Sequence, residues 1–179
     1  MKKIILKSKS PEFVLRHARL SDAKVFFESE IEKEAKKNFM STPKSVAEVR
    51  GGIKEAIKEM NKKKKPSFEK FAIEVNGECA GWVNIHDLNQ KHQEHRGIIG
   101  YCLHKKFRGK GIMSKAVKII TNYAFKKYKL KRLSGLCRTF NKASARTMEK
   151  AGYKLEGIME KNKKKNGKYL DDMIWAVVR

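Results

Sequence analysis

Cysteine, proline and acidic residues are all scarce in this chain, and each shortage removes a class of protein. Its three cysteines, Cys79, Cys102 and Cys137, are odd in number and widely spaced within apolar, strand-like runs. That spacing fits neither a disulfide framework nor a zinc ligand set, so they read as small core residues and no metal site is expected. The 3 prolines and 12 glycines never gather with serine into a linker. Residues 1–179 therefore read as a single domain, long enough to bury a real hydrophobic core. Long apolar runs are missing as well. The opening stretch MKKIILKSKSPEF has lysines but only three consecutive apolar residues, too few for a signal peptide, and no segment is apolar enough to span a bilayer. The expectation is a soluble, cytoplasmic protein with no membrane partner, a monomer or homodimer.

Only 19 acidic residues stand against 43 lysines and arginines, a formal net charge of +24. A surface this basic attracts nucleic acid, ribosomes or other acidic partners. Lysine outnumbers arginine 34 to 9, however, whereas phosphate-reading sites favour arginine, so the surplus also fits compositional bias and solvation. The lysine runs at 62–65 and 163–165 lack interleaved aromatics and offer no stacking platform for bases.

What is present is a regular succession of period-two and period-3.6 segments. FVLRH opens as a strand, and Ser21 or Asp22 caps a helix carrying Val25, Phe26 and Phe27. A second helix carries Val46, Val49, Ile53, Ile57 and Met60 at spacings of three and four, and NKKKKP breaks it. Two strands then flank Asn76-Gly77, a strong hairpin signal because both residues tolerate positive φ. RGIIGYCLH is the next strand. A helix with Met113, Ala116, Val117, Ile120, Tyr123 and Ala124 on one face follows, then the strand KRLSGLCRTF and the short helix NKASARTMEKAGY. The segments KLEGIME and YLDDMIWAVV flank KNKKKNGK, read as a hairpin with a long basic loop. The order β, α, α, β, β, β, α, β, α, β, β implies a mixed α/β domain with one central sheet of about seven strands and helices on both faces.

Between the strand RGIIGYCLH and its helix lies FRGKGIMSKA. Gly109 and Gly111 let the backbone pass close to a ligand, while Arg108 and Lys110 add positive charge beside the free N–H groups that open a helix. The arrangement describes an anion cradle, and a plain strand-to-helix turn would share its glycines.

Together with NKASARTMEKAGY, this turn resembles the general N-acetyltransferase (GNAT) superfamily, and most of all its ribosomal-protein N-acetyltransferase branch (RimJ/RimL-like). The resemblance runs from about Phe13 to Val178. It implies the GNAT fold, with a mostly antiparallel twisted sheet, and acetyl-CoA as the donor, with CoA as product. The family's pyrophosphate loop maps onto Arg108, Gly109, Lys110, Gly111, Ile112 and Met113, whose backbone amides through Ser114 would face the diphosphate. Met113 departs from the family's small final residue and is expected to tuck into the core. Asn141 would hydrogen-bond the pantetheine arm, or serve only as a helix N-cap. Ser144 would sit near the sulfur as proton donor, because the tyrosine that many family members place seven residues after the asparagine is Met148 here. A backbone N–H near Tyr101 or Leu103 would polarise the thioester oxygen.

The general base is less defined: Glu160, His86, Glu94, the Asp171-Asp172 pair and a water chain are all open. An α-amine of pKa ~7.8 is about 14% neutral at pH 7 and a lysine about 0.04%, a difference of about 3.5 kcal/mol. A site without an evident strong base therefore suits the N-terminus of a protein or peptide, such as a ribosomal protein. The alternatives are a small-molecule amine as acceptor, or a non-catalytic basic module that binds RNA or ribosomes.

Overall fold

Alternation of Phe13 and Leu15 with more exposed neighbours sets the first core strand. The computed structural model describes residues 5–61 and 66–179, so the lysine run at 62–65 lies outside the described residues. Strands β1 (Ile5–Lys9), β2 (Glu12–His17), β3 (Glu69–Val75), β4 (Glu78–His86) and β5 (Arg96–Leu103) form an antiparallel meander. Then come β6 (Arg132–Arg138), β7 (Lys154–Lys165) and β8 (Lys168–Val178), giving one eight-stranded sheet in the order β1-β2-β3-β4-β5-β6-β8-β7. All neighbours are antiparallel except β5 and β6.

Two differences from the sequence expectation concern strands rich in lysine. The sheet has eight strands rather than about seven, because ILKSK pairs as an outer strand, Ile5 opposite Arg16 through Lys9 opposite Glu12. Charged residues suit a sheet edge, where they discourage further pairing, and they hide the apolar period. The long basic loop expected at KNKKKNGK is instead the end of a two-stranded ribbon that resumes pairing at Lys163 after a register shift beyond Met159. Lys163, Lys164 and Lys165 pair with Leu170, Tyr169 and Lys168, and the turn is only Asn166-Gly167 at φ 49° and 79°. Both turn residues are left-handed, as the twist of a two-residue hairpin requires.

Helices α1 (Ala23–Ile31) and α3 (Val46–Asn61) cover one face through Phe26, Val49 and Ile53, packed on Ala72, Trp82 and Cys102. The short α2 (Lys33–Lys36) follows α1 and was not legible as a separate element. On the other face lie α4 (Ile112–Tyr128) and α5 (Lys142–Ala151), which close the larger core around Leu15, Phe71, Val83 and Leu133. Cys102 and Cys137 are buried and Cys79 half-buried, none of them in a disulfide.

One buried carboxylate pins the far end of α4 to β3. Glu69 is 1% exposed and accepts from Tyr128 at 2.6 Å, Tyr123 at 2.9 Å and Lys127 at 3.0 Å, with His17 Nε2 at 2.9 Å. Burial alone would raise its pKa, but the bonds from His17 and Tyr128 and the Lys127 charge outweigh burial and hold it below the ordinary carboxylate value.

Strands β5 and β6 pair only at Arg96 with Arg132, Gly97 with Leu133 and Ile98 with Ser134. Beyond Ile98 they part. The edge of β5 from Ile99 to Leu103 faces a gap, and α5 seats beside it by packing Met148 on Gly135, where a Cβ would overlap the thioether. The sheet thus opens between β5 and β6, and the site is built in that opening.

Candidate active site

A cleft of about 840 Å³ runs from the end of β5 past the glycine turn to the start of α5. Its lining cations are Lys37, Arg108, Lys110, Lys142, Arg146 and Lys150, against a single carboxylate, Glu34, which is itself paired with Lys37 at 2.8 Å. Such a wall attracts a ligand carrying several negative charges.

At its floor the glycine turn presents backbone rather than side chains. Gly109 and Gly111 sit at φ 80° and 71°, left-handed conformations that side-chain-bearing residues rarely adopt. A Cβ on either would stand in open space, the same space a ligand needs to reach the amides. Gly111 is the N-cap of α4, so no capping side chain competes for the first N–H groups of that helix. The Ile112 and Met113 side chains are 3% and 8% exposed and turn into the core, which leaves the helix start free for an anion.

Arg108 has a second task. Its Nε donates to the Leu103 carbonyl at 3.0 Å and its Nη1 to Glu32 at 2.9 Å, tying the turn to β5 and to the start of α2. Burial opposes the Glu32 charge, but bonds from the Glu34 and Ala35 N–H groups and from Arg108 prevail and lower its pKa. Lys110 and Ser114 both line the cleft.

On the opposite wall Asn141 caps α5, its Oδ1 accepting from the Ser144 N–H at 3.1 Å. Ser144 faces β5 and stands 2.7 Å from the Tyr101 phenol oxygen. The sequence implies only a backbone role for Tyr101; its side chain reaches Ser144 because β5 has parted from β6 here. Burial pushes the Tyr101 pKa well above the ordinary phenol value, so this hydroxyl keeps its proton.

The structure brings together Tyr101, Leu103, Arg108, Gly109, Lys110, Gly111, Ile112, Met113, Ser114, Asn141 and Ser144 in one cleft. Glu160 and His86 are not among its lining residues. Glu160 is exposed on β7, and His86 at the end of β4 has Nδ1 3.3 Å from Asp87. Asp172 is engaged by Arg138 at 2.7 Å and Asn162 at 2.8 Å, and Asp171 accepts from the Lys161 N–H. A carboxyl not anticipated from sequence is Glu30 on α1, half-buried near Lys70 and Trp82 and outside the cleft lining. Burial raises its pKa against the pull of Lys70.

Residues 12–154 match the Acetyltransferase (GNAT) domain, and the chain belongs to that family. It is similar to the "Probable N-acetyltransferase YjcK" of Bacillus subtilis, at 44% identity over 81 residues, 45% of each chain. It is also similar to the "Uncharacterized N-acetyltransferase YnaD" of the same organism, at 30% identity over 66% of this chain and 69% of that one. The chain thus spans less than half the length of YjcK in the matched region. Among solved structures, RimL, a "Ribosomal L7/L12 alpha-N-protein acetyltransferase" in complex with coenzyme A, superposes with a TM-score of 0.82 at 22% identity, covering 98% of both chains. Mycobacterium smegmatis RimJ in complex with CoA-disulfide gives 0.82 at 19%, over 98% of this chain and 86% of that one. At these identities the likeness is one of fold.

The chain therefore carries a GNAT domain, and acetyl-CoA is the donor of that family. The residues present fit that donor: backbone amides at a helix start for the diphosphate, a cationic wall for its charge, and an unpaired strand edge for an amide-bearing arm.

Proposed function

We propose that this acetyltransferase acts on the N-terminal α-amine of a protein or peptide, a ribosomal protein being one acceptor of that kind. The observation that carries the reading is the open side of the cleft. Helices α1 and α3 cover the sheet only as far as β5, and the same face of β6 and β8 beyond it carries Leu136, 42% exposed and paired with Ile174. Phe140, 51% exposed, lines the cleft, and Met40, 43% exposed, meets Arg138 at the end of β6. An exposed apolar floor suits an extended chain, whereas a small amine is better served by a closed pocket.

The donor supplies an activated acetyl group. A carbon–nitrogen bond replaces the carbon–sulfur bond, the amine loses one proton, and the departing sulfur gains one. The α4 start and its cations hold the diphosphate end, and the free edge of β5 orients the arm through its backbone groups. Ser144 supplies the hydrogen bond that eases departure of the thiolate, whose free pKa is ~8.5. An α-amine enters partly neutral at pH 7, so this assignment requires no strongly basic side chain beside the nitrogen. The net charge of +24 favours acidic acceptors or a ribosome surface over polycations.

The test is thiol release from acetyl-CoA across a panel of peptides with free N-termini and small primary amines. Peptides should turn over with the higher kcat/KM. Exclusive turnover of a small amine would move the acceptor to that class, and no turnover with any amine would leave a binding module.

A further inference from the structure

We propose that Tyr101 is a positioning residue for the leaving group: its phenol holds the Ser144 hydroxyl so that the serine proton is presented to the departing sulfur. This rests on the acetyl-transfer reading of the cleft and adds a residue to it.

Met148, seven residues after Asn141 on α5, is 1% exposed and committed to packing on Gly135. The helix therefore offers a short serine side chain, Ser144, one turn earlier. A free serine hydroxyl samples three rotamers and any proton direction, so by itself it is a poorly directed donor. Tyr101 removes that freedom. It stands on the part of β5 that has left β6, and its oxygen lies 2.7 Å from Ser144 Oγ and 3.3 Å from the Ser144 carbonyl oxygen. The phenol is the more acidic of the two hydroxyls, and its contact with Oγ is shorter than its contact with the carbonyl, so its proton is directed to Ser144 Oγ.

With its oxygen accepting from Tyr101, Ser144 has its own proton left to donate. Beside it is the Cys137 thiol, whose pKa burial raises while Ser144 and Trp175 pull it back. A neutral thiol is a weak acceptor; a thiolate forming in the gap is a strong one. The Ser144 proton thus finds its best acceptor only as the carbon–sulfur bond breaks, which is when a hydrogen bond accelerates the reaction. Burial of Tyr101 in this core keeps the phenol protonated across the working pH range.

The test uses Tyr101→Phe, Ser144→Ala and the double variant of the full chain. Ser144→Ala should lower kcat by about 100-fold and Tyr101→Phe by about 10-fold, with acetyl-CoA Kd changed less than twofold. The double variant should be no slower than Ser144→Ala alone, because the phenol acts through the serine. A second readout is the thiolate absorbance of bound CoA against pH. In the wild type the bound thiol should titrate below free CoA, and both single variants should move it back toward the free value. That titration needs only binding, so Ser144→Ala reports on it even where Tyr101→Phe does not fold. Additive losses, an unchanged kcat in Tyr101→Phe, or a bound thiol that titrates like free CoA in the wild type would each overturn the proposal. A wild type that releases no thiol with any amine would instead overturn the acetyl-transfer reading.

Discussion

The ammonium of Lys165, near the tip of the β7–β8 ribbon, donates to the carbonyl oxygens of Lys36 and Phe39 at the end of α2. Phe39 lines the cleft, so this contact fastens the ribbon to the cleft's rim. Replacing Lys165 with Met removes the donor while keeping the stem. Because water can reach these partly exposed carbonyls, stability should change by less than about 1 kcal/mol. The KM for a peptide acceptor should rise several-fold with acetyl-CoA Kd unchanged, as steady-state kinetics and calorimetry would show. Replacing the exposed Lys163 and Lys164 with Ser should instead spare neutral peptides and weaken only acidic ones, an effect that fades with added salt.

Gly111 concentrates the donor-binding geometry in one residue. Its φ of 71° and the open space at its Cβ position make any side chain both strained and obstructive. At a hundredfold excess over Kd, acetyl-CoA should stabilise the wild type by about 2.7 kcal/mol, roughly 5–10 °C in Tm for a domain of this size. Gly111→Arg should lose this shift in a thermal melt while remaining folded without ligand. A retained shift would place the diphosphate elsewhere.

Acid stability should be governed in part by Glu69. Its folded pKa lies below the unfolded value, so its contribution is complete above the ordinary carboxylate pKa and is lost as pH falls through the folded value. Glu69→Gln should cost about 3 kcal/mol at neutral pH, because Lys127 and the two phenols lose a charged acceptor. It should also flatten the acid limb of a denaturation-against-pH curve. A variant with an unchanged acid limb would remove Glu69 from that role.

Local chemistry was legible where one residue type answers one backbone demand. Gly109 and Gly111 at positive φ, Asn76-Gly77 at the first hairpin, Asn141 as an N-cap and Met113 in the core could all be read along the chain. What stayed hidden depends on distant residues meeting. Tyr101 and Ser144 are 43 positions apart, and only the parting of β5 from β6 brings their hydroxyls together. Likewise, Lys7 and Lys9 in β1 and the consecutive Lys163, Lys164 and Lys165 in the final ribbon mask the strand period, so an edge strand and a tight turn read as tail and loop. Arg108 shows a third limit: a cation beside a phosphate loop also braces that loop, and its partner Glu32 lies 76 residues away.

The central claim is acetyl transfer to an α-amine, and a single peptide tests it most directly. The peptide carries a free N-terminus and one internal lysine, is incubated with acetyl-CoA and the full chain near pH 7, and is sequenced by tandem mass spectrometry. The expected result is acetyl at the N-terminus with the lysine unmodified, following the roughly 3.5 kcal/mol advantage of the α-amine in deprotonation. Acetyl on the lysine with a free N-terminus would contradict the claim and require a strong base in the cleft.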